Sequence, residues 1–101
     1  MSGFFGVVHR GENVAPADLE RAAETIMYRG NNAPRYYGNH SCQLIHCQFS
    51  ILDETTELQP MTDESGRYVC VYDGDLYNYT ELRDQLTARG NRFFSETDTE
   101  V

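Results

Sequence analysis

Ser2 is the residue whose type and position could most directly do chemistry. Removal of Met1, which a small serine side chain permits, leaves a hydroxyl and a free α-amine on one residue. Such an amine has an ordinary pKa of about 7.7 to 8.0 and can accept the hydroxyl proton as the oxygen attacks a carbonyl carbon. Residue 2 would then be nucleophile and base together. The alternative reading of Met1-Ser2-Gly3 is an ordinary terminus leading into a strand. Two other reactive side chains stand mid-chain. His46, three residues before Phe49 in a strand-like run, reads as a packed or hydrogen-bonded histidine rather than a base. Cys47 lacks the adjacent free amine that this chemistry uses.

These residues must be positioned by local structure, and the chain reads as one continuous alternation of elements without repeats or an interdomain linker. The apolar run over residues 4–9 predicts a buried strand, ended by the turn residues Gly11-Glu12-Asn13. Leu19, Ala22, Ala23 and Ile26 recur at spacings of three and four, with Asp18 and Glu20 near the start, which predicts an amphipathic helix over residues 17–27. Tyr28-Arg29-Gly30 and the following Asn31-Asn32-Ala33-Pro34 break it, with Arg29 and Gly30 shaping the turn. Residues 42–49 and 68–72 read as strands, separated by a polar stretch containing Pro60 and Gly66. A second helix is expected over residues 80–86, with Asn78 or Thr80 as cap and Gly90 as stop. Residues 93–95 then resume an extended run that Asp98 ends.

Composition narrows the partners. The 101 residues suffice for one small domain, and 16 acidic against 8 basic residues give a net charge of −8. That balance offers no basic patch for phosphates, so nucleic acid and anionic membranes are disfavoured. No apolar run reaches the roughly 20 residues that span a bilayer, and the start lacks a signal-peptide layout, so the sequence-based expectation is a cytoplasmic protein. Cys42, Cys47 and Cys70 are an odd number without metal-finger spacing and read as reduced structural thiols. The acid excess, including Asp53-Glu54 and Asp63-Glu64, reads as a solvated face without calcium-loop spacing.

An ordered set of strings is more specific than any of these signals. It comprises Phe4-Phe5-Gly6-Val7-Val8, Tyr28-Arg29-Gly30, His46-Cys47-Gln48-Phe49-Ser50-Ile51-Leu52-Asp53, Gln59-Pro60-Met61, the run from Asp73-Gly74-Asp75-Leu76-Tyr77-Asn78 to Arg83, and Thr97-Asp98-Thr99-Glu100-Val101. In this order and spacing the whole chain resembles the N-terminal glutaminase domain of asparagine synthetase, a class II glutamine amidotransferase. The resemblance implies an α+β fold, the N-terminal nucleophile (Ntn) hydrolase αββα sandwich, present only as its N-terminal portion. It implies one domain over residues 1–101, a type-2 glutamine amidotransferase domain truncated at its C-terminal end. Because the family's domain is longer, the chain alone is expected to leave sheet edges uncovered and to be marginally stable or aggregation-prone.

In such enzymes the N-terminal residue attacks the glutamine carboxamide, an acyl-enzyme forms, and ammonia passes to an ATP-using domain. The resemblance implies Ser2, Gly74 and Asp73 as catalytic positions. It implies Gln48, Phe49, Ser50, Ile51, Leu52, Asp73, Gly74, Asp75 and Asp98 as the glutamine-binding set, with no metal. Tyr77, Asn78 and Tyr79 anchor the loop and helix start. Glutamine is the implied small-molecule ligand, and a synthetase or cyclase domain in cis or trans the implied partner. No cofactor is expected in this chain; ATP and magnesium belong to a synthetase domain whose Ser-Gly-Gly signature the sequence lacks.

Three positions depart from the family pattern. Ser2 replaces the family's cysteine, and a hydroxyl is much harder to deprotonate than a thiol with a pKa of about 8.5. Asp73 replaces the Asn whose amide donates to the oxyanion; loss of one such donor costs about 2.7 to 4 kcal/mol, and an ionised carboxylate adds opposing charge. Gly74 keeps its backbone donor. Gln48 replaces the Arg that grips the glutamine α-carboxylate, and a neutral amide cannot supply that bidentate pair. Asp98, matched to the group receiving the substrate's ammonium, is retained. An engineered Cys-to-Ser change explains only the first departure, so a degenerate glutaminase site is expected. The pattern resembles β-lactam synthetases and lasso-peptide cyclases, which form lactams, including macrolactams, without needing ammonia and in which the domain persists as scaffold.

Overall fold

In the computed structural model, residues 2–50 and 59–101 are described. The first strand, β1 (Gly3–Val8), pairs antiparallel with β3 (Cys42–Cys47), and β3 pairs on its other edge with β2 (Arg35–Gly38), giving the order β1-β3-β2. Phe5 and Tyr36 both lie opposite Ile45, so β3 is the centre of this sheet. Ile45, His46 and Cys47 are three consecutive residues with almost no exposure. Successive strand side chains point to opposite faces, so the run shows that β3 is covered on both. Residues 45–47 therefore do not alternate between a buried and an exposed face. Helix α1 (Pro16–Ile26) packs against β1 and β3, and the Tyr72 carbonyl meets His46.

Helix α1 forms as its periodicity predicts. Pro16 occupies its first turn, where a missing N–H costs nothing, and Asp18 favours the helix N-terminus. Ala23 is buried and Leu19, Ala22 and Ile26 are half-buried, while most intervening residues are exposed. The backbone then tightens into a 3-10 turn, Met27–Arg29. Gly30 runs extended at φ −122 and passes beside β3: a Cβ there would lie 2.7 Å from the Gln48 carbonyl oxygen and 2.9 Å from the Cys47 carbonyl carbon. Only glycine permits that approach.

The short hairpin of β4 (Met61–Thr62) and β5 (Val69–Cys70) turns through Gly66 at φ +70, a left-handed conformation that favours glycine. The Asp63 carboxylate accepts hydrogen bonds from the Ser65 hydroxyl and from the backbone N–H groups of Ser65 and Tyr68, which holds the turn. The strand expected over residues 68–72 is thus only two residues long. Tyr72 instead donates its N–H to Gln59 Oε1 at 2.5 Å.

Helix α2 (Tyr79–Ala88) starts after Asn78 and stops where Gly90 adopts φ +94, with Asn91 N–H donating to the Leu86 carbonyl at 3.1 Å. Asn78 is the cap position but makes no side-chain capping bond. The extended run expected over residues 93–95 does not form a strand. Glu100, in the 3-10 turn Asp98–Glu100, accepts from the N–H groups of Phe94 and Ser95 at 2.7 and 2.6 Å and from the Ser95 hydroxyl at 2.6 Å. A carboxylate thus takes the donors that strand pairing would require. Arg83 of α2 secures the segment by placing its guanidinium 4.8 Å from the Phe93 ring centroid. Sheets and helices together make the mixed α+β architecture expected of the family.

Candidate functional site: the Ser2 end of the sheet

Ser2 immediately precedes β1, and pairing of Gly3 with Cys47 puts it beside the end of β3. The chain leaving β3 then crosses it, and the Phe49 N–H donates to Ser2 Oγ at 3.1 Å. Residues 48–50 are held there by the loop after α1. Asn31 and Asn32 donate their backbone N–H groups to the Gln48 carbonyl at 3.0 and 3.2 Å. Asn31 also exchanges two bonds with Ser50: its Nδ2 donates to the Ser50 carbonyl at 2.8 Å, and its Oδ1 accepts from the Ser50 N–H at 2.9 Å.

The 3-10 turn aims Arg29 at the same spot. Its Nε donates to the Ser2 carbonyl at 2.8 Å, and Nη2 donates to Asp73 Oδ2 at 3.0 Å. The other carboxylate oxygen, Asp73 Oδ1, accepts from the Ser2 backbone nitrogen at 3.0 Å. Ser2, Arg29 and Asp73 thus close a ring of hydrogen bonds through one guanidinium and one carboxylate. The Arg29 guanidinium is held above its ordinary range, chiefly by the bond to Asp73 and then by Tyr28. From the sequence, Arg29 has only a turn-shaping part. Its side-chain role was detectable only as a cation immediately after a helix whose end could not be placed to the residue.

Of the other predicted site residues, Gly74 follows Asp73 and lies against the Tyr72 ring, where a Cβ would meet the hydroxyl at 3.0 Å. Asp75 and Asp98 line one open hollow of about 420 Å³ with Leu76, Tyr77 and Thr97. Asp98 Oδ2 accepts from the Leu76 N–H at 2.7 Å. The Tyr72 phenol is pushed up by desolvation and then by the charges of Asp98 and Asp75, which marks this end as electronegative. Ile51 and Leu52 lie outside the described residues. A separate apolar hollow of about 550 Å³, lined by Met61, Val69, Leu86, Phe93 and Phe94 among others, contains none of the predicted site residues.

The mid-chain reactive groups are packed away. Burial lowers the His46 pKa, against the opposing effects of the Tyr72 carbonyl and the Asp73 charge, and its Nε2 lies 3.3 Å from that carbonyl. Burial pushes the Cys47 thiol up, away from the thiolate a nucleophile needs. Among the described residues no group of three or more His, Cys, Asp or Glu side chains could hold a metal ion, and no helix is long and apolar enough to cross a membrane.

The model of the glutamine amidotransferase domain matches residues 1–101. The chain belongs to this family. This amidotransferase domain is similar to the glutamine-hydrolyzing asparagine synthetase 1 of Bacillus subtilis, at 32% identity over 100% of the chain and 17% of the relative. It is also similar to asparagine synthetase 3 of that organism, at 34% identity over 82% of the chain and 14% of the relative. A shorter likeness, 55% identity over 42% of the chain and 7% of the relative, is to a glutamine–fructose-6-phosphate aminotransferase of Thermus thermophilus. The domain therefore spans under a fifth of the length of these relatives. No solved structure matches it significantly.

Proposed function

We propose that this domain is the glutaminase-type part of an asparagine-synthetase-like, ATP-dependent amide-forming enzyme, and that its own glutamine-hydrolysing site is degenerate. One observation carries the reading: Asp73, which stands where an oxyanion donor is required, presents two acceptor oxygens, one on the Ser2 nitrogen and one on Arg29. An ionised carboxylate donates no hydrogen bond. The developing oxyanion would thus lose one donor and meet a negative charge, leaving the Gly74 N–H as its backbone donor. Gln48 at the α-carboxylate position weakens glutamine binding further, while Asp98 still offers an acceptor for the substrate ammonium. Similarity to asparagine synthetases across the chain supports a synthetase partner in cis or trans, with ATP and magnesium handled by that partner. Its three free thiols support a cytoplasmic setting.

The test uses the complete enzyme supplied with glutamine or with ammonia. Ammonia is expected to support amide formation and glutamine to support little of it. Glutamine-dependent turnover at a comparable rate, abolished by Ser2→Ala, would sink the reading. A second reading makes the domain a non-catalytic scaffold of a lasso-peptide-cyclase or β-lactam-synthetase-like enzyme. The ring of Ser2, Arg29 and Asp73 favours it, because it ties the terminus down through groups that serve structure without turnover. In that case neither nitrogen source is used and Ser2→Ala leaves the partner's reaction unchanged.

A further inference from the structure

We propose that Asp73 is a built-in counter-ion for the α-amine of Ser2, holding that amine protonated in the chain that has lost Met1 and so removing the base its hydroxyl would need. The inference rests on the reading of Ser2 as an N-terminal nucleophile position. The nitrogen that donates to Asp73 Oδ1 at 3.0 Å is the same atom that becomes the terminal ammonium once Met1 is cleaved. Its position is over-determined, since Arg29 Nε grips the Ser2 carbonyl at 2.8 Å and the Phe49 N–H meets Ser2 Oγ at 3.1 Å. An ammonium at that point would make a charge-assisted bond of ordinary length.

The charges around the amine decide the sign. Asp73 is in direct contact and negative. Arg29 is positive, but it engages the far oxygen of Asp73 and the Ser2 carbonyl, so the carboxylate stands between it and the amine. Tyr28 acts on Arg29 in the same direction as Asp73, and burial lowers the pKa of His46 on β3, which disfavours a second cation there. The contact charge is therefore anionic, which favours the protonated amine. An opposite charge at this range shifts a pKa by about 1 to 3 units. A neutral Asn at position 73 would leave the amine free to accept the hydroxyl proton. Asp73 thus disables the base and the oxyanion site with one carboxylate. Raising the pH above the paired amine's pKa would free the base without freeing the oxyanion site.

The experiment is an NMR pH titration of the full protein beginning at Ser2, with its start verified by mass spectrometry and with ¹³C-labelled serine reporting on the Ser2 Cα and Cβ. The folded protein is expected to show an amine pKa about one unit or more above that of the same chain unfolded in urea. Asp73→Asn should return the folded value to the unfolded one or below. An amine in the folded wild-type protein at or below the unfolded value would overturn the proposal, whether or not Asp73→Asn folds. An ordinary amine pKa with no glutamine hydrolysis would refute the counter-ion and leave the proposed function standing. A raised pKa with Ser2-dependent hydrolysis would do the reverse.

Discussion

Asp73 and Ser2, 71 positions apart in the chain, are joined by a 3.0 Å hydrogen bond from the Ser2 backbone nitrogen to Asp73 Oδ1, and Arg29 binds both residues. This places Arg29 in control of the order of the site. A net charge-assisted bond contributes about 1.5 to 3 kcal/mol, but the Arg29 and Asp73 side chains are 36% and 24% exposed, so screening reduces the ion-pair part. Arg29→Ala is expected to lower the denaturation midpoint modestly and to shift the amide resonances of Ser2 and Phe49. Arg29→Lys should recover little of this, because one ammonium cannot reproduce the two-directional guanidinium fork. Denaturant unfolding with amide spectra checks both; full rescue by lysine would show that charge alone suffices.

Gly30 makes a sharper steric prediction. A Cβ at this position would sit 2.7 Å from the Gln48 carbonyl oxygen and about as close to the Cys47 carbonyl. Both obstacles are backbone atoms of the segment that carries the Phe49 N–H to Ser2, so neither can swing aside as a side chain end would. Gly30→Ala should cost about 1 to 3 kcal/mol and displace residues 48–50. An unfolding free energy unchanged from wild type would contradict the close approach.

His46 gives a pH dependence whose sign can be worked out. Burial lowers its folded-state pKa from the ordinary 6.5, so the unfolded chain binds the proton first as pH falls. Its stabilising effect is fully present above about pH 6.5 and declines as pH drops toward the lowered folded value. Thermal unfolding followed from pH 7.5 to 5 should therefore show a falling midpoint that His46→Gln flattens. If the slope persists in the variant, another group is responsible.

Much of this architecture was legible in the sequence where one physical cause dominates. The three-and-four spacing of Leu19, Ala22, Ala23 and Ile26 located α1, and Gly90 marked the end of α2 because left-handed backbone suits glycine. Strand β2 was not foreseen: Arg35-Tyr36-Tyr37-Gly38 is short, follows a proline-containing loop, and is stabilised by pairing with β3 rather than by local pattern. Residues 93–95 have apolar strand character, yet the donors of Phe94 and Ser95 go to Glu100. The family strings pointed to Ser2, Asp73 and Phe49 as site positions, and these three do converge. What the strings could not convey is that Arg29 completes the ring, because that depends on a 3-10 turn redirecting one side chain.

Glu100 can be tested on the same ground. Burial alone would raise its pKa, but the Ser95 hydroxyl, the Phe94 and Ser95 amides and the Arg83 charge outweigh burial and hold it below the ordinary 4.5. Its contribution is present above that value and is lost as pH falls through the lowered folded pKa. Glu100→Gln should thus weaken the 93–100 segment at neutral pH and erase part of the acid sensitivity below about pH 4.5. Amide exchange at Phe94 and Ser95 reads this directly: unchanged protection in the variant would mean that the carboxylate does not hold those amides.

On the proposed reading of a degenerate site, restoring an amide donor at position 73 should restore chemistry. In Asp73→Asn the side chain could offer N–H groups to an oxyanion and would no longer pair with the Ser2 amine, so two obstacles fall together. One oxyanion donor is worth about 10² to 10³ in rate elsewhere. Ser2→Cys supplies a thiol with a pKa of about 8.5, and Gln48→Arg a bidentate partner for the α-carboxylate of glutamine. In the complete enzyme, Asp73→Asn with Ser2→Cys is expected to raise glutamine-dependent ammonia release by at least about 10²-fold. Adding Gln48→Arg should act mainly on KM, since it grips a part of the substrate that does not react. A folded triple variant that binds glutamine yet releases no ammonia would place the defect elsewhere in the domain.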